Sequence, residues 1–370
     1  MDFSSNSLQA VVAAWVGSSN LGDELVHAAL RRKLLSLGVH ITALSTAPRS
    51  TQAIHGEKSV ASRRIDRVVA ATAGADLMVL GGGGLLQDET SALNLPHHLS
   101  RPLLGRLLRT PVFGVGLGAS GLRTRVGKAQ VKLILKGIPI SVRDSSSADV
   151  LAPLLGKRPV VAADLAISMP RPVVAAEDRL VVCLRPWVET PNRLLPVGLR
   201  PSHHLEDWAA GALATALDAA AQRTGLAVHF VALQADRDHA VHEVVAGRMD
   251  SAVTFARPHL VSLLPELATG RVVISMRYHG GIGAVLGGRP SVLVGYSPKV
   301  AGLAGDLGRA ARFAELSRPS LLSIPQGVAE LLDPGNNVEE AYATLVAREA
   351  GNDLILDRAV TAIREHKASR

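Results

Sequence analysis

Short apolar runs alternate with amphipathic stretches along nearly the whole chain. The first half carries "LQAVVAAWV", "HITALST", "ADLMVLGG", "TPVFGVGLG", "IPISVRD" and "PVVAADLAI". Between the first two, "GDELVHAALRRKLLSLG" places Val26, Leu30, Leu34 and Leu37 on one helical face. Strands that are apolar throughout, rather than at every second position, are buried on both faces, as in a parallel sheet covered by helices. Around "SMPRPVVAAEDRL" the pattern breaks into prolines and charges, which predicts a domain boundary. It then restarts with "RLVVCLRPW", "LAVHFVAL", "SAVTFAR", "RVVISMRYH" and "RPSVLVGY". The pattern predicts an α/β chain of two Rossmann-like, doubly wound domains facing a cleft, over residues 1–174 and 175–335. Two further helices, in 336–370, are expected to pack back on them.

Composition narrows the partners. At 370 residues the chain exceeds one ordinary core. Hydrophobic residues make up 47% of it but aromatics only 3%, so Ala, Val and Leu must fill the interior and no stacking stripe for nucleic acid is left. The formal charge of +8 nevertheless asks for an anionic partner, either acidic lipid headgroups or a phosphorylated small molecule. Cys183 is the only cysteine, which excludes an internal disulfide; inside "RLVVCLRP" it reads as inert core. No Lys or Arg precedes the apolar stretch in "MDFSSNSLQAVVAAWVG", and no run is long enough to span a bilayer. The expectation is a soluble cytoplasmic protein whose basic surface suits peripheral contact with the anionic inner face of a membrane.

Ligands of doubly wound sheets bind beyond the carboxyl ends of the strands, so strand ends are where chemistry is sought. The first ends in "WVGSSNLGDELV": Asn20 reads either as a cap with Asp23 and Glu24 as helix-dipole partners, or, with Asp23, as a holder of sugar hydroxyls. The run Gly81 to Gly84 is longer than a turn requires and points to close approach of backbone to a ligand, at Gly82, Gly83 and Gly84, with Asp88 in reach. It lacks the Gly-Lys-Ser/Thr and G-x-G-x-x-G patterns. Arg143, in "SVRDSSS", is either half of a surface pair or a fork aimed at a carboxylate or phosphate, while Asp144 caps the next helix. Asp164 is either a cap or a ligand-facing acid. "GVGLGASG" reads as a packing turn. His97-His98 and His203-His204 lack the i, i+4 spacing of a helical zinc site, and no metal is expected.

The stretch "RVVISMRYHGGIGAVLGGRPSVLVGYSPK" carries the strongest signal. Arg277 and His279 flank Tyr278, so strand alternation would send both to one face. Lys299 follows the next strand, no acid is near in sequence, and Gly280-Gly281 would leave room for a ligand. A small anion would supply the missing negative charge.

Together, "NLGDE", "LGGGGLLQD", "SVRDSSS", "ADLAI" and "SMRYHGGIGAVLGGRPSVLVGYSPKVAGL" occur in an order that resembles the polysaccharide pyruvyl transferase family, over roughly positions 10 to 310. The resemblance implies a GT-B-like fold. It also implies transfer of a pyruvyl group from phosphoenolpyruvate to a sugar diol of a cell-surface glycan, glycolipid or precursor, giving a cyclic ketal and phosphate. Carried over, Arg143, Arg277, His279 and Lys299 would hold the donor. His279 would be the acid–base, and Asp23 would act on the acceptor hydroxyl. This chemistry needs no metal and no cofactor beyond the donor substrate. A nucleotide-sugar-dependent glycosyltransferase on the same scaffold is the alternative. The acceptor stays open among lipid-linked, nucleotide-linked and polymeric sugars, and oligomeric state is unassigned.

Overall fold

The computed structural model describes residues 7–88, 93–189 and 204–369. The chain divides into two units. The first comprises Met1–Ser18, Asp23–Ser168 and Val346–Arg370; the second comprises Ser19–Gly22 and Met169–Leu345. The sequence pattern put its boundary after position 174, and the two units part at Ser168/Met169.

Unit 1 is built on seven strands: β1 (Leu8–Val16), β2 (Val39–Ser45), β3 (Lys58–Ala61), β4 (Leu77–Leu80), β5 (Val112–Leu117), β6 (Ile140–Val142) and β7 (Val160–Val161). They pair in the order β3-β2-β1-β4-β5-β6-β7, every pair parallel. Unit 2 has six: β8 (Arg179–Cys183), β9 (Ala227–Val231), β10 (Val253–Ala256), β11 (Val272–Ser275), β12 (Ser291–Gly295) and β13 (Ala311–Glu315), in the order β10-β9-β8-β11-β12-β13, again all parallel. The central strands are buried throughout, as continuous apolar runs require; β4, β11 and β12 expose no residue. Strand order reverses between β1 and β4 in the first sheet and between β8 and β11 in the second. These are the switch points at which such sheets open a crevice.

The tail differs from expectation. One helix, Val338–Ala368, replaces the two expected, because Gly351 is packed within it. A Cβ at Gly351 would lie 3.0 Å from Val160 Cγ1 of β7, so the small residue serves close packing rather than a break. Beside it Asn352 is fully buried; its amide donates to the Ala163 carbonyl at 3.0 Å and accepts from Ser141 Oγ at 2.7 Å. Cys183 is buried as expected, and burial holds its thiol well above the usual range. Among the described residues no helix is long and apolar enough to cross a membrane.

Candidate functional site

In unit 1 the loop after β1 turns at Gly17, whose φ is +76°. Glu24 holds this loop: its Oε1 accepts from the amides of Gly17 at 2.7 Å and Ser18 at 3.3 Å, while Oε2 pairs with His55 Nε2 at 2.7 Å. Glu24 and His55 are both buried, so Glu24 does far more than favour a helix dipole. The glycines after β4 divide by role. A side chain at Gly81 would strike Ala14, and one at Gly82 would strike Leu165 and Val26, so the protein itself fills those approaches. Gly83 has φ +95° and an open flank, with Asp23 Oδ1 3.9 Å from where its Cβ would stand. Gly84 similarly faces Arg143 Nη2 at 3.8 Å. The fold therefore gathers Asp23, Gly83, Gly84 and Arg143 beside the first switch point.

Arg143 is buried, not half of a surface pair. Its Nε lies 3.4 Å from Asp144 Oδ2 and its Nη1 3.5 Å from Asp164 Oδ2. Asp144 also caps the helix Ser145–Leu155 by accepting from Ser147 N at 2.7 Å, and Asp164 accepts from Ala166 N at 3.1 Å. Asp164 is thus both a cap and a partner of Arg143. Gly118, within the glycine stretch read as a packing turn, lies against the guanidinium; a Cβ there would be 2.9 Å from it. Asp88 stands apart from this group, holding the 123–124 turn through Arg123 N at 2.8 Å, Thr124 N at 3.0 Å and the Thr124 hydroxyl. Burial pushes its carboxyl up, but these bonds outweigh it and leave it below the usual range. Its geometry is that of a turn anchor.

In unit 2, β11 ends at Ser275, earlier than the sequence suggested. Tyr278 already opens the helix Tyr278–Leu286, so His279 sits on a first helical turn and strand alternation does not set its direction. Arg277, before that helix, is tied at both backbone ends to Ser275 Oγ, at 3.0 Å from its N and 2.8 Å from its O. The expectation that no acid pairs it is overturned. Asp238, 39 residues upstream and fully buried, accepts from Arg277 Nε at 3.1 Å and from Nη2; Gln234 Oε1 also accepts from Nη2, at 3.3 Å. A buried carboxylate fixes the planar fork, a positioning that Lys would not reproduce.

Gly280 and Gly281 do not make room for a ligand. Side chains there would meet Ser275 Oγ at 2.2 Å and the Leu293 and Leu303 side chains at 2.9 Å, so these glycines bring the helix onto its sheet. The glycine that matters to His279 is Gly22, whose Cβ would lie 2.2 Å from the imidazole Nδ1. Asn20 fixes that turn by accepting from Gly22 N at 3.2 Å, and Leu21 N donates to the Leu233 carbonyl at 2.8 Å.

Lys299 lies past β12, with Nζ 5.8 Å from the Tyr296 ring centre. Here the structure adds residues the sequence reading passed over. Arg185, beyond β8, stacks over the same ring at 4.8 Å and donates to its hydroxyl at 2.6 Å. Burial lowers the basicity of the Arg237 guanidinium, as do the positive charges of Arg185 and Arg277. Arg185, Arg237, Arg277 and Lys299 thus follow four strands, β8, β9, β11 and β12, at the same sheet end. Other histidines are not part of this. His98 packs edge-on to Trp15, and burial holds its pKa at about 3, so it is neutral. His203 lies outside the described residues. Among the described residues no three His, Cys, Asp or Glu side chains stand where they would share a metal ion.

Two Rossmann-like parallel sheets, each with charged residues clustered at the carboxyl ends of its strands, define a two-domain α/β protein of the GT-B type. Solved structures share this fold. The Staphylococcus aureus MnaA–UDP structure superposes with a TM-score of 0.58 at 12% identity, covering 95% of each chain. A putative UDP-N-acetylglucosamine 2-epimerase from Listeria monocytogenes gives 0.58 at 12% over 98% of each. Spinosyn rhamnosyltransferase SpnG gives 0.54 at 14% over 96% of this chain and 100% of its own. A search of the curated proteins finds no match. The polysaccharide pyruvyl transferase profile matches residues 20–298, and the chain belongs to that family. Membership makes it a transferase of polysaccharide biosynthesis.

Proposed function

We propose that the protein transfers a pyruvyl group from phosphoenolpyruvate to two hydroxyls of one sugar in a cell-surface glycan, glycolipid or precursor, forming a cyclic ketal and releasing phosphate. The supporting observation is the collection of Arg277, His279 and Lys299 at one end of the second sheet, in a chain of this family. Phosphoenolpyruvate is small and multiply anionic. Arg277, its fork oriented by Asp238, suits the carboxylate, and Lys299 adds a mobile charge.

In the reaction, His279 delivers a proton to the enol methylene, which becomes the ketal methyl. The electron pair leaves C2 as an oxocarbenium-like centre that the first hydroxyl attacks, losing its proton. The second hydroxyl then bonds C2 and gives up its proton as the C2–O bond to phosphate breaks, and the phosphate departs with the electron pair and that proton. An imidazole exchanges protons near neutral pH, which suits this step. Asp23 and Asn20 are assigned to the acceptor. The acceptor is a sugar, and a lipid-linked one fits a basic cytoplasmic protein resting on an anionic membrane.

The test is phosphate release from phosphoenolpyruvate with and without glycan extracts, read with mass spectrometry for the pyruvyl increment. Release that depends on acceptor is expected, and His279→Ala should cut kcat by roughly 100-fold or more while leaving donor affinity near normal. Failure to release phosphate with any glycan, combined with turnover of a UDP-sugar, would replace this reading by the glycosyltransferase one.

A further inference from the structure

Tyr296 ends β12 and is one of only three tyrosines in the chain. Arg185 Nη1 donates to its oxygen at 2.6 Å. A guanidinium only donates, so the phenol oxygen is the acceptor and its own proton points elsewhere. Arg185 and Lys299 both lie over the ring, at 4.8 and 5.8 Å from its centre. Among the described residues no carboxylate forms an ion pair with Arg185. The charges acting on the phenol, in order, are Arg185, Lys299 and Arg277, all cations. Arg277 is already met by Asp238, but the Arg185 guanidinium is not met by a carboxylate among the described residues, and a half-buried setting strengthens its attraction for an anion. The spare phenol proton, the rigid guanidinium fork and the ammonium are three kinds of donor suited to one tetrahedral dianion.

We infer that Arg185, Tyr296 and Lys299 form a phosphoryl subsite that takes the phosphate group of the donor and then the inorganic phosphate product. The inference rests on the pyruvyl-transfer reading for the identity of the donor. Arg277, set by Asp238, is left to the donor carboxylate. Arg237 adds positive charge near both Arg185 and Arg277.

Calorimetric titration of the full chain with inorganic phosphate alone tests it, with phosphoenolpyruvate then titrated in competition. Phosphate should bind the wild type. Arg185→Gln and Tyr296→Phe should each weaken it by roughly tenfold or more, and Arg185→Lys should recover part of the loss. Circular dichroism checks that each variant is folded. Should Arg185→Gln not fold, protection of Arg185 from phenylglyoxal by phosphate in the wild type gives the same information. Absence of phosphate binding, or equal binding by Arg185→Gln and Tyr296→Phe, overturns the subsite even if phosphoenolpyruvate is turned over. Phosphate binding that needs Arg185 but is not competed by phosphoenolpyruvate keeps a phosphate subsite and overturns its assignment to this donor.

Discussion

Tyr296 is the residue whose chemistry departs furthest from its sequence context. Burial alone would push its phenol up, but Arg185, Lys299 and Arg277 outweigh burial and bring it to about 8. A folded-state value below the unfolded one of about 10 means that the native protein releases this proton first. Stability should therefore rise with pH between about 8 and 10, and the gain should be absent below 8. With few tyrosines present, ultraviolet difference titration will show one tyrosinate forming with a midpoint near 8 and vanishing in Tyr296→Phe. A wild-type titration confined to values near 10 would refute the cation cluster. In sequence, Arg185 sits beside Pro186 and Trp187 and Arg237 inside "ADRDH", which reads as a solvated helix face. Nothing local marks either residue as part of a site, because their proximity is created by strand order.

At the level of elements, the apolar runs were legible wherever a strand lies inside a sheet. The two strands that the pattern did not disclose, β3 "KSVA" and β13 "ARFAE", are both edges. An edge strand is half solvated, so its apolar positions are interrupted and the signal weakens. The boundary of β11 was obscured for another reason: Arg277-Tyr278-His279 continues the strand in composition while the backbone has already turned into a helix. The candidate site was legible to the same degree. Arg277, His279 and Lys299 stood out because they interrupt apolar sequence, whereas Asp238, which orients Arg277, lies 39 residues away on another helix.

Helix starts also decide how His279 is seated. Gly22 and His279 each lie on the first turn of a helix, and the imidazole occupies the space a Cβ at Gly22 would need. Gly22→Ala should displace the ring and lower kcat by up to roughly a hundredfold with little change in thermal stability. Unchanged kcat in that variant, measured by phosphate release, would remove His279 from the chemistry or show that the ring has somewhere else to go.

For the whole molecule, the long C-terminal helix is, from Val346 on, part of unit 1 rather than an accessory. Besides Asn352, it brings Glu349 and Asp353 to Lys33, at 2.9 and 2.6 Å. Removing 346–370 should therefore leave unit 1 without a cooperative unfolding transition. Asn352→Leu, which strips Ser141 and Ala163 of a buried partner, should cost about 1–3 kcal/mol in urea denaturation. A truncated chain with wild-type denaturation behaviour would refute this.

The same segment sets an order of events during synthesis. All seven strands of the first sheet have been made once residue 161 is out, yet the helix completing that unit follows only after Leu345. At translation speeds of about 5–20 residues per second, the intervening stretch keeps the first sheet waiting for roughly 9–37 s. Through that interval the face around Val160 and Ala162, against which Gly351 later packs, stays uncovered.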